Sequence, residues 1–305
     1  MKAIICTQYG PPEGLQLKEI DKPSPQPGEV VIKVYATSAH IGDTRIRRAD
    51  PFLVRLVFGL FKPRKNLVLG LEVSGVVEAI GTDVQRFKVG DEVFALTGFG
   101  LGGYAEYICL PEKVKEGTQE KKGLIALKPK NLSYGEAATV PAGALTALKN
   151  LQKAQLSPGQ KILINGASGS LGTFAIQLAK DAGIHVTAVC SSKNLELVRA
   201  LGADETIDYA QENFTQRPEQ YDAVYDAVMK SSRRKCKSIL KPGGIFVNNY
   251  SLPKIVDKDL AHLKRLIEEG KLKPVIDRTY TMDEVVEAHH YVDQGHKRGN
   301  VVITC

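Results

Sequence analysis

The sequence has no tryptophan, only three methionines and only five cysteines among 305 residues. The cysteines, Cys6, Cys109, Cys190, Cys236 and Cys305, are dispersed and form no C-x-x-C pair, which argues against a disulfide framework and a structural zinc cluster. No run of about 18 apolar residues occurs, so no transmembrane helix is predicted. The apolar patch at the N-terminus is too short for a signal peptide, and a cytoplasmic location is therefore the default expectation.

The charge distribution does not favour a nucleic-acid partner. The formal net charge is +7, but the basic residues are spread along the chain and form only two dense runs, at 62–65 and 233–237. Such runs are usually solvated surfaces, and no interleaved aromatic and basic motif accompanies them. With 43% hydrophobic and 25% charged residues, the chain has the composition of a globular protein with room for two domains.

A strand, a glycine turn and a helix are predicted at residues 161–180, KILINGASGSLGTFAIQLAK. Glycines let backbone N–H groups approach a pyrophosphate, and the positive N-terminus of the following helix favours that charge. The apolar run before the turn and the helical spacing after it are typical of a dinucleotide-binding fold. The predicted turn comprises Gly166, Ala167, Ser168, Gly169, Ser170, Leu171 and Gly172.

The predicted secondary-structure pattern of the sequence changes near residue 130. Short strand-like segments separated by glycine and proline turns precede it, at 30–35, 73–79, 92–96 and 104–110, and favour a barrel-like antiparallel body. Strand and helix patterns then alternate, which is typical of an α/β fold with a parallel sheet. Helices are predicted at 134–152, with Ser133 and Glu136 as a capping box, near 233–240, at 258–270 and at 282–294.

The motifs follow the order found in a known family. YGPPEGLQL, QPGEVVIKV, LGLEVSGVVEAIG, FKVGDEVFA, GGYAEY, the glycine turn, LGAD, KPGG and GNVVIT resemble the medium-chain dehydrogenase/reductase superfamily, and within it the zinc-independent quinone oxidoreductase and enoyl reductase branch. The resemblance implies a GroES-like, partly open β-barrel catalytic domain and a Rossmann domain with a doubly wound parallel sheet. The predicted boundaries are 1–127 with 271–305, and 128–270.

The resemblance also predicts that no metal is bound. His40 stands where zinc-dependent members have their first cysteine ligand, Leu71 replaces the histidine of the G-H-E motif, and Ala142 lies near the third position. One imidazole cannot form the three-ligand site of a catalytic zinc.

The predicted reaction is hydride transfer from NADPH to a quinone or an α,β-unsaturated carbonyl, with a small, hydrophobic, electrophilic molecule as the substrate. Without a Lewis acid, oxidation of a simple alcohol is disfavoured, whereas reduction of an electron-poor acceptor stays feasible. Two alternatives remain open: a zinc-type NAD(P)-dependent alcohol dehydrogenase, and a non-catalytic relative that binds nucleotide or RNA.

The cofactor preference is predicted from the end of the second strand of the Rossmann domain. NAD-specific sites usually have an acidic residue there, whereas this chain has Ser191, Ser192 and Lys193. Hydroxyls and an ammonium group suit the 2′-phosphate of NADPH. The resemblance adds Tyr209, which matches a tyrosine that packs beside that phosphate. In the terminal segment, Lys297, Arg298 and Asn300 are predicted to reach the cofactor, with an ordinary basic turn as the alternative.

Three residues are predicted to act at the reacting end of the cofactor. Related reductases carry Asn-Pro-x-Asp where this chain has His40-Ile41-Gly42-Asp43, and His40 is a candidate proton donor because its ordinary pKa lies in the useful range. Asp43 is expected to pair with Arg47 on a short helix. The resemblance places Thr146 near the nicotinamide.

Two segments depart from the family pattern. Residues 51–65, PFLVRLVFGLFKPRK, are predicted to form a lid over the substrate cleft, with a membrane-surface helix as the alternative. After Tyr250 the chain lacks about one helix and one strand that the family normally has, through deletion or an incomplete sequence. That region usually contributes to subunit pairing, so the sequence leaves the choice between a monomer and a homodimer open. No stable membrane insertion is expected.

Overall fold

The computed structural model describes residues 1–115, 122–250 and 254–305. The chain divides into two compact units. The first unit comprises Met1–Ala142, Lys254–Lys264 and Ile276–Cys305, and the second comprises Gly143–Pro253 and Arg265–Val275. The predicted domain boundaries at residues 127 and 270 stay a prediction.

The two units contain both strands and α-helices. The strands are β1 (Lys2–Cys6), β2 (Leu15–Glu19), β3 (Glu29–Ser38), β4 (Glu72–Ile80), β5 (Glu92–Leu96), β6 (Tyr107–Pro111), β7 (Leu124–Leu127), β8 (Lys161–Asn165), β9 (His185–Cys190), β10 (Glu205–Asp208), β11 (Tyr221–Asp226), β12 (Leu240–Asn248), β13 (Ile276–Thr281) and β14 (Asn300–Thr304). The helices are α1 (Ile41–Arg48), α2 (Val54–Phe58), α3 (Tyr134–Ala138), α4 (Val140–Ala154), α5 (Ser170–Asp181), α6 (Leu195–Ala200), α7 (Asp257–Glu268) and α8 (Val285–Asp293).

A seven-stranded sheet forms the body of the first unit, as the strand-rich first part of the sequence predicts. Its order is β13-β14-β3-β4-β5-β7, and β6 also pairs with β3. β6 pairs with residues 29–33 of β3, whereas β14 pairs with residues 36–38 of the same strand. The apolar side chains of β3, β4 and β5 are buried together with Ile108 and Leu110 of β6, because strand alternation directs them to one side.

A parallel sheet of five strands forms the second unit, which confirms the predicted Rossmann fold. The strand order is β10-β9-β8-β11-β12, so the chain reverses its direction of progress between β8 and β11. Ligands bind open parallel sheets at the carboxyl ends of the strands beside such a reversal. The glycine turn begins directly after β8 and therefore lies at this point.

The helix predicted at 134–152 is two helices. The capping box at its start is present, since the Ser133 hydroxyl accepts a bond from Glu136 N (3.2 Å) and the Glu136 carboxylate accepts one from Ser133 N (3.0 Å). Helix α3 ends at Ala138, and α4 begins at Val140. Pro141 is the reason, because it has no N–H to continue the bonds of the preceding turn.

The prediction of a helix near 233–240 is wrong. This segment forms turns, with backbone bonds from Cys236 N to Ser232 O and from Leu240 N to Cys236 O, and β12 begins at Leu240. Four cationic side chains lie within five residues of one another here, and like charges at helical spacing oppose a helix.

Candidate active site

The glycine turn after β8 packs closely against the start of α5. Gly166 has φ +81°, and a Cβ at Gly172 would lie 2.3 Å from the carbonyl oxygen of Gly166. Only glycine allows this approach at position 172. Gly169 is the N-cap of α5, and no side chain caps the first turn of this twelve-residue helix. Its first amide groups are therefore suited to bind an anion.

Asn194 connects the turn to the end of β9. Its amide donates to the Ser168 hydroxyl (3.0 Å) and to the Ser191 hydroxyl (3.2 Å), and the residue is 8% exposed. Sequence reasoning missed Asn194 as a site residue. The only signal in the sequence is a polar residue that directly precedes helix α6, and tertiary contacts alone give it this role.

Tyr209 and the residues after β9 lie at one edge of the parallel sheet. Asp208 of β10 pairs with Cys190 of β9, and the Tyr209 amide donates to Cys190 O (3.1 Å). The Tyr209 side chain is 53% exposed, and Ser192 and Lys193 are also exposed. The structure thus brings the predicted residues 166–172, 191–193 and Tyr209 to the same edge.

His40 is a neutral hydrogen-bond donor in the first unit. Its Nδ1 accepts a bond from Gly42 N (3.0 Å), so the proton of the neutral ring is on Nε2, and in the described part of the chain Nε2 is buried with no bonding partner. Burial, followed by the charges of Lys297 and Arg45, lowers the pKa of His40 to about 3. The expectation of a pKa in the useful range is therefore wrong, because desolvation disfavours the imidazolium.

Asp43 holds His40 and a neighbouring loop in place. Its carboxylate accepts bonds from His40 N (3.3 Å) and Gly70 N (2.9 Å), and the side chain is fully buried. Burial raises the pKa of Asp43 to about 7, although these bonds oppose the shift. This geometry is that of a positioning residue at the N-terminus of α1.

Arg47 does not form the expected pair with Asp43. Its fully buried guanidinium instead bonds to Gly10 O, His289 Nδ1 (3.2 Å) and the carboxylate of Asp293. His289 Nε2 in turn lies 3.0 Å from the hydroxyl of Tyr104. These contacts attach α1, and hence His40, to α8.

Asp293→Ala is expected to destabilise the protein by about 3 kcal/mol, because it leaves the buried charge of Arg47 without its counterion. Urea unfolding of the full chain measures this. Glu78→Ala is the matched control: it breaks the exposed pair with Lys22, which is 2.9 Å long, and is expected to change the stability little. Equal losses in the two variants would contradict the assigned role of Asp293.

Glu72 and Lys297 complete the charged cluster around His40, and neither was among the predicted catalytic residues. The Glu72 carboxylate accepts bonds from the Ser38 hydroxyl and from Ala142 N (2.7 Å). Burial raises the pKa of Glu72 to about 7. Burial lowers the pKa of Lys297 to about 8, opposed by the nearby charges of Glu72 and Asp277. Two signals were present in the sequence: a carboxylate at the first residue of β4, and the basic terminal segment that contains Lys297.

The three residues that the resemblance compares with zinc ligands are His40, Leu71 and Ala142. A Cβ at Gly42 would lie 2.5 Å from the Leu71 side chain and 3.0 Å from His40 Nδ1, so His40 and Leu71 are neighbours. The amide of Ala142 bonds to Glu72, as described above. Among the residues that the structure describes, no group of three or more His, Cys, Asp or Glu side chains could hold a metal ion.

Thr146 and Asn300 lie in different units. Thr146 is half-buried on α4, on the helix face that it shares with Gly143 and Asn150. Asn300 is 2% exposed and begins β14. The predicted roles of both residues stay predictions.

Comparison with known proteins identifies the family. Residues 26–116 match the alcohol dehydrogenase GroES-like domain, and residues 170–249 and 246–303 match two families described as zinc-binding dehydrogenase. The 2-methylene-furan-3-one reductase of Solanum lycopersicum is 36% identical over 327 residues, covering 99% of this chain and 79% of that protein. The chain belongs to the medium-chain dehydrogenase/reductase superfamily.

Two further comparisons place this medium-chain reductase in the quinone oxidoreductase-like branch. The chloroplastic NADPH-dependent alkenal/one oxidoreductase of Arabidopsis thaliana is 34% identical, covering 99% of this chain and 79% of that protein. The structure of the quinone oxidoreductase from Coxiella burnetii superposes with a TM-score of 0.89 at 30% identity, covering 100% of this chain and 99% of that one. The predicted family and fold are confirmed. In the described ranges, no helix has both the length and the apolar character needed to span a membrane.

Proposed function

We propose that this protein is a zinc-independent, NADPH-dependent reductase that transfers a hydride to a quinone or an α,β-unsaturated carbonyl. The proposal rests on the edge of the parallel sheet at the carboxyl end of β9. There Asn194 bonds both to Ser168 of the glycine turn and to Ser191 after the strand, and this strand end has no carboxylate. The similar proteins support the acceptor class, since their names refer to alkenal/one, furanone and quinone substrates.

The groups proposed to bind NADPH lie in the second unit. The amides at the start of α5 would bind the pyrophosphate, and the glycine at position 172 leaves the room that this needs. Ser191, Ser192 and Lys193 would bind the 2′-phosphate through two hydroxyls and an ammonium group. When bound, NADPH supplies the hydride, and the protein supplies orientation and charge stabilisation.

The first unit has two groups that would serve the acceptor after reduction begins. The orphan Nε2–H of His40 would donate a hydrogen bond to the oxygen on which negative charge develops. Lys297, whose pKa of about 8 leaves it mostly protonated at neutral pH, would supply the proton. Asp43 would keep His40 oriented through the bond to its backbone amide.

The side chains near His40 favour zinc-independence over the alternative of a zinc-type alcohol dehydrogenase. The side chains of Leu71, which neighbours His40, and of Ala142, which the family resemblance compares with a third ligand, contain no atom that could bind zinc. Stoichiometric zinc in the purified protein, measured by elemental analysis, would favour the alcohol dehydrogenase. The cytoplasmic location and the homodimer stay predictions.

A steady-state assay tests the proposal. NADPH oxidation is measured with a panel of quinones and enones, alongside NADH and alcohol oxidation with NADP⁺. Turnover with at least one electron-poor acceptor is expected, with NADPH preferred over NADH. NADPH binding without turnover of any acceptor, together with salt-sensitive RNA binding, would instead identify a non-catalytic relative.

The acceptor reaction is expected to lose rate above pH 8. The folded pKa of Lys297 lies below the ordinary lysine value, so the ammonium form is present below about pH 8 and is lost as the pH rises through that value. Lys297→Met is expected to lower kcat roughly 100-fold and to remove this descending limb, whereas Lys297→Arg moves it to higher pH. Arg298→Met, at the exposed neighbouring residue, is the control, and an unchanged profile in Lys297→Met would assign the proton to another donor.

A further inference from the structure

Residues 51–65, termed here the basic apolar segment, expose an unusual concentration of large apolar side chains. Six of the fifteen exposed large hydrophobic residues in the described part of the chain lie within ten consecutive positions. They are Phe52 (63% exposed), Leu53 (67%), Leu56 (67%), Val57 (60%), Leu60 (46%) and Phe61 (88%). Contiguous apolar surface of this kind marks an interaction site more often than isolated exposed residues do.

The segment is fixed to the first unit on its other side. Phe58 is 5% exposed and belongs to the core cluster that contains Ile4 and Leu67. The Tyr9 hydroxyl donates to Gly59 O (2.8 Å), and Arg64 N donates to Phe58 O (2.7 Å). The apolar exposure is therefore a property of the folded segment, because the buried anchor and these bonds hold its backbone.

The charge of the segment has one sign. It contains four basic residues, Arg55, Lys62, Arg64 and Lys65, and no acidic residue. Lys62 and Lys65 are exposed, and Lys62 directly follows Phe61, the most exposed of the apolar residues. The guanidinium carbon of Arg55 lies 4.9 Å from the ring centroid of Tyr9 and 5.3 Å from that of Phe52. Its positive charge is therefore adjacent to the exposed Phe52 side chain.

We propose that the basic apolar segment docks the protein onto the surface of an anionic lipid bilayer. Aromatic and leucine side chains flanked by basic residues match the boundary between acyl chains and anionic headgroups. A second copy of this chain is a poorer occupant, because it would bring four cationic side chains against four more. Helix α2 has five residues, far too few to span a membrane, so the docking is peripheral. This inference does not depend on the proposed reaction.

Vesicle co-sedimentation of the full chain tests the proposal. Vesicles of phosphatidylcholine alone are compared with vesicles that also contain phosphatidylglycerol, at low and high salt. Binding is expected to the anionic vesicles only and to weaken at high salt, because the ionic atmosphere screens surface charges. Failure to bind anionic vesicles, or equal binding to both compositions, would overturn the proposal.

Paired variants separate the segment from the overall charge. Lys62→Gln with Lys65→Gln is expected to reduce binding roughly tenfold, whereas Arg234→Gln with Lys237→Gln removes the same charge from the other dense run and should have little effect. Leu56→Ser with Phe61→Ser is expected to abolish binding, and Val89→Ser, at a residue 59% exposed, is its control. All changes are at exposed positions, and circular dichroism checks the fold.

Two outcomes of these variants would also overturn the inference. Equal losses in the two charge variants would mean that net charge, and not the segment, drives binding. A wild-type dimer that becomes a monomer only in the Leu56 and Phe61 variant, measured by sedimentation velocity, would identify a second copy as the occupant.

Discussion

Gly172→Ala is expected to abolish NADPH binding and to destabilise the second unit. The added Cβ would lie 2.3 Å from Gly166 O and 2.5 Å from the Cα of Ala167, and both atoms belong to the backbone of the turn. They cannot rotate away, so α5 must move off the turn. Overpacking in such a site costs roughly 1–3 kcal/mol or more. Fluorescence titration with NADPH and urea unfolding measure the two effects.

Gly169→Ala is the matched control for that prediction. Gly169 has an ordinary negative φ of −82°, and the nearest atom to its Cβ would be Gly166 O at 3.5 Å, which is normal van der Waals contact. We therefore expect retained NADPH binding and a smaller loss of stability than in Gly172→Ala, limited to the poorer fit of alanine at an N-cap. Wild-type affinity in Gly172→Ala would show that the close packing of the turn is not needed for the cofactor.

Ser191→Asp is expected to reverse the preference between the two nicotinamide cofactors. A carboxylate at the end of β9 would repel the 2′-phosphate of NADPH but could accept bonds from the ribose hydroxyls of NADH. Placing a carboxylate against a phosphate costs several kcal/mol. The ratio of kcat/KM for NADPH to kcat/KM for NADH should therefore fall roughly 100-fold. The bond that Asn194 donates to Ser191 can be kept by an aspartate, so the turn should stay intact.

Lys193→Ala, measured in the same cofactor assay, tests the contribution of the lysine charge alone. It removes the cation without adding a carboxylate, and should weaken NADPH roughly tenfold while leaving NADH unchanged. Lys193 is exposed, so the fold is not at risk. A wild-type protein that prefers NADH, or a cofactor ratio that neither variant changes, would contradict the assignment of the β9 end to the 2′-phosphate.

The regular parts of the fold could be predicted because their signals are local. The uninterrupted apolar run at 162–164 is fully buried in β8, as expected for a strand covered on both faces. The predicted capping box at Ser133 and Glu136 is confirmed, because it too depends on residues only three positions apart. Two predicted helices differ from the structure. Pro141 divides the helix predicted at 134–152, and repulsion between like charges opposes the helix predicted near residue 236.

The chemistry of the site was harder to predict, because it depends on residues far apart in the sequence. Arg47 and Asp43 have the spacing of a helical ion pair, yet Arg47 bonds to Asp293, 246 residues away. The sequence offers His40 with an ordinary pKa, whereas burial lowers the pKa to about 3 and changes its role from acid to neutral donor. Desolvation depends on everything that packs around a group, and no local pattern records it.

The sequence by itself determined the strands of the parallel sheet, the glycine turn with the helix that follows it and the carboxylate-free end of β9, because periodicity, turn residues and charge act over a few neighbouring positions. Only the tertiary structure decided that Asn194 joins the turn to that strand end, that Glu72 and Lys297 lie near His40, and that Phe58 is buried while Phe61 faces outward. Burial and long-range contacts set these features, and they exist only once distant segments have packed together.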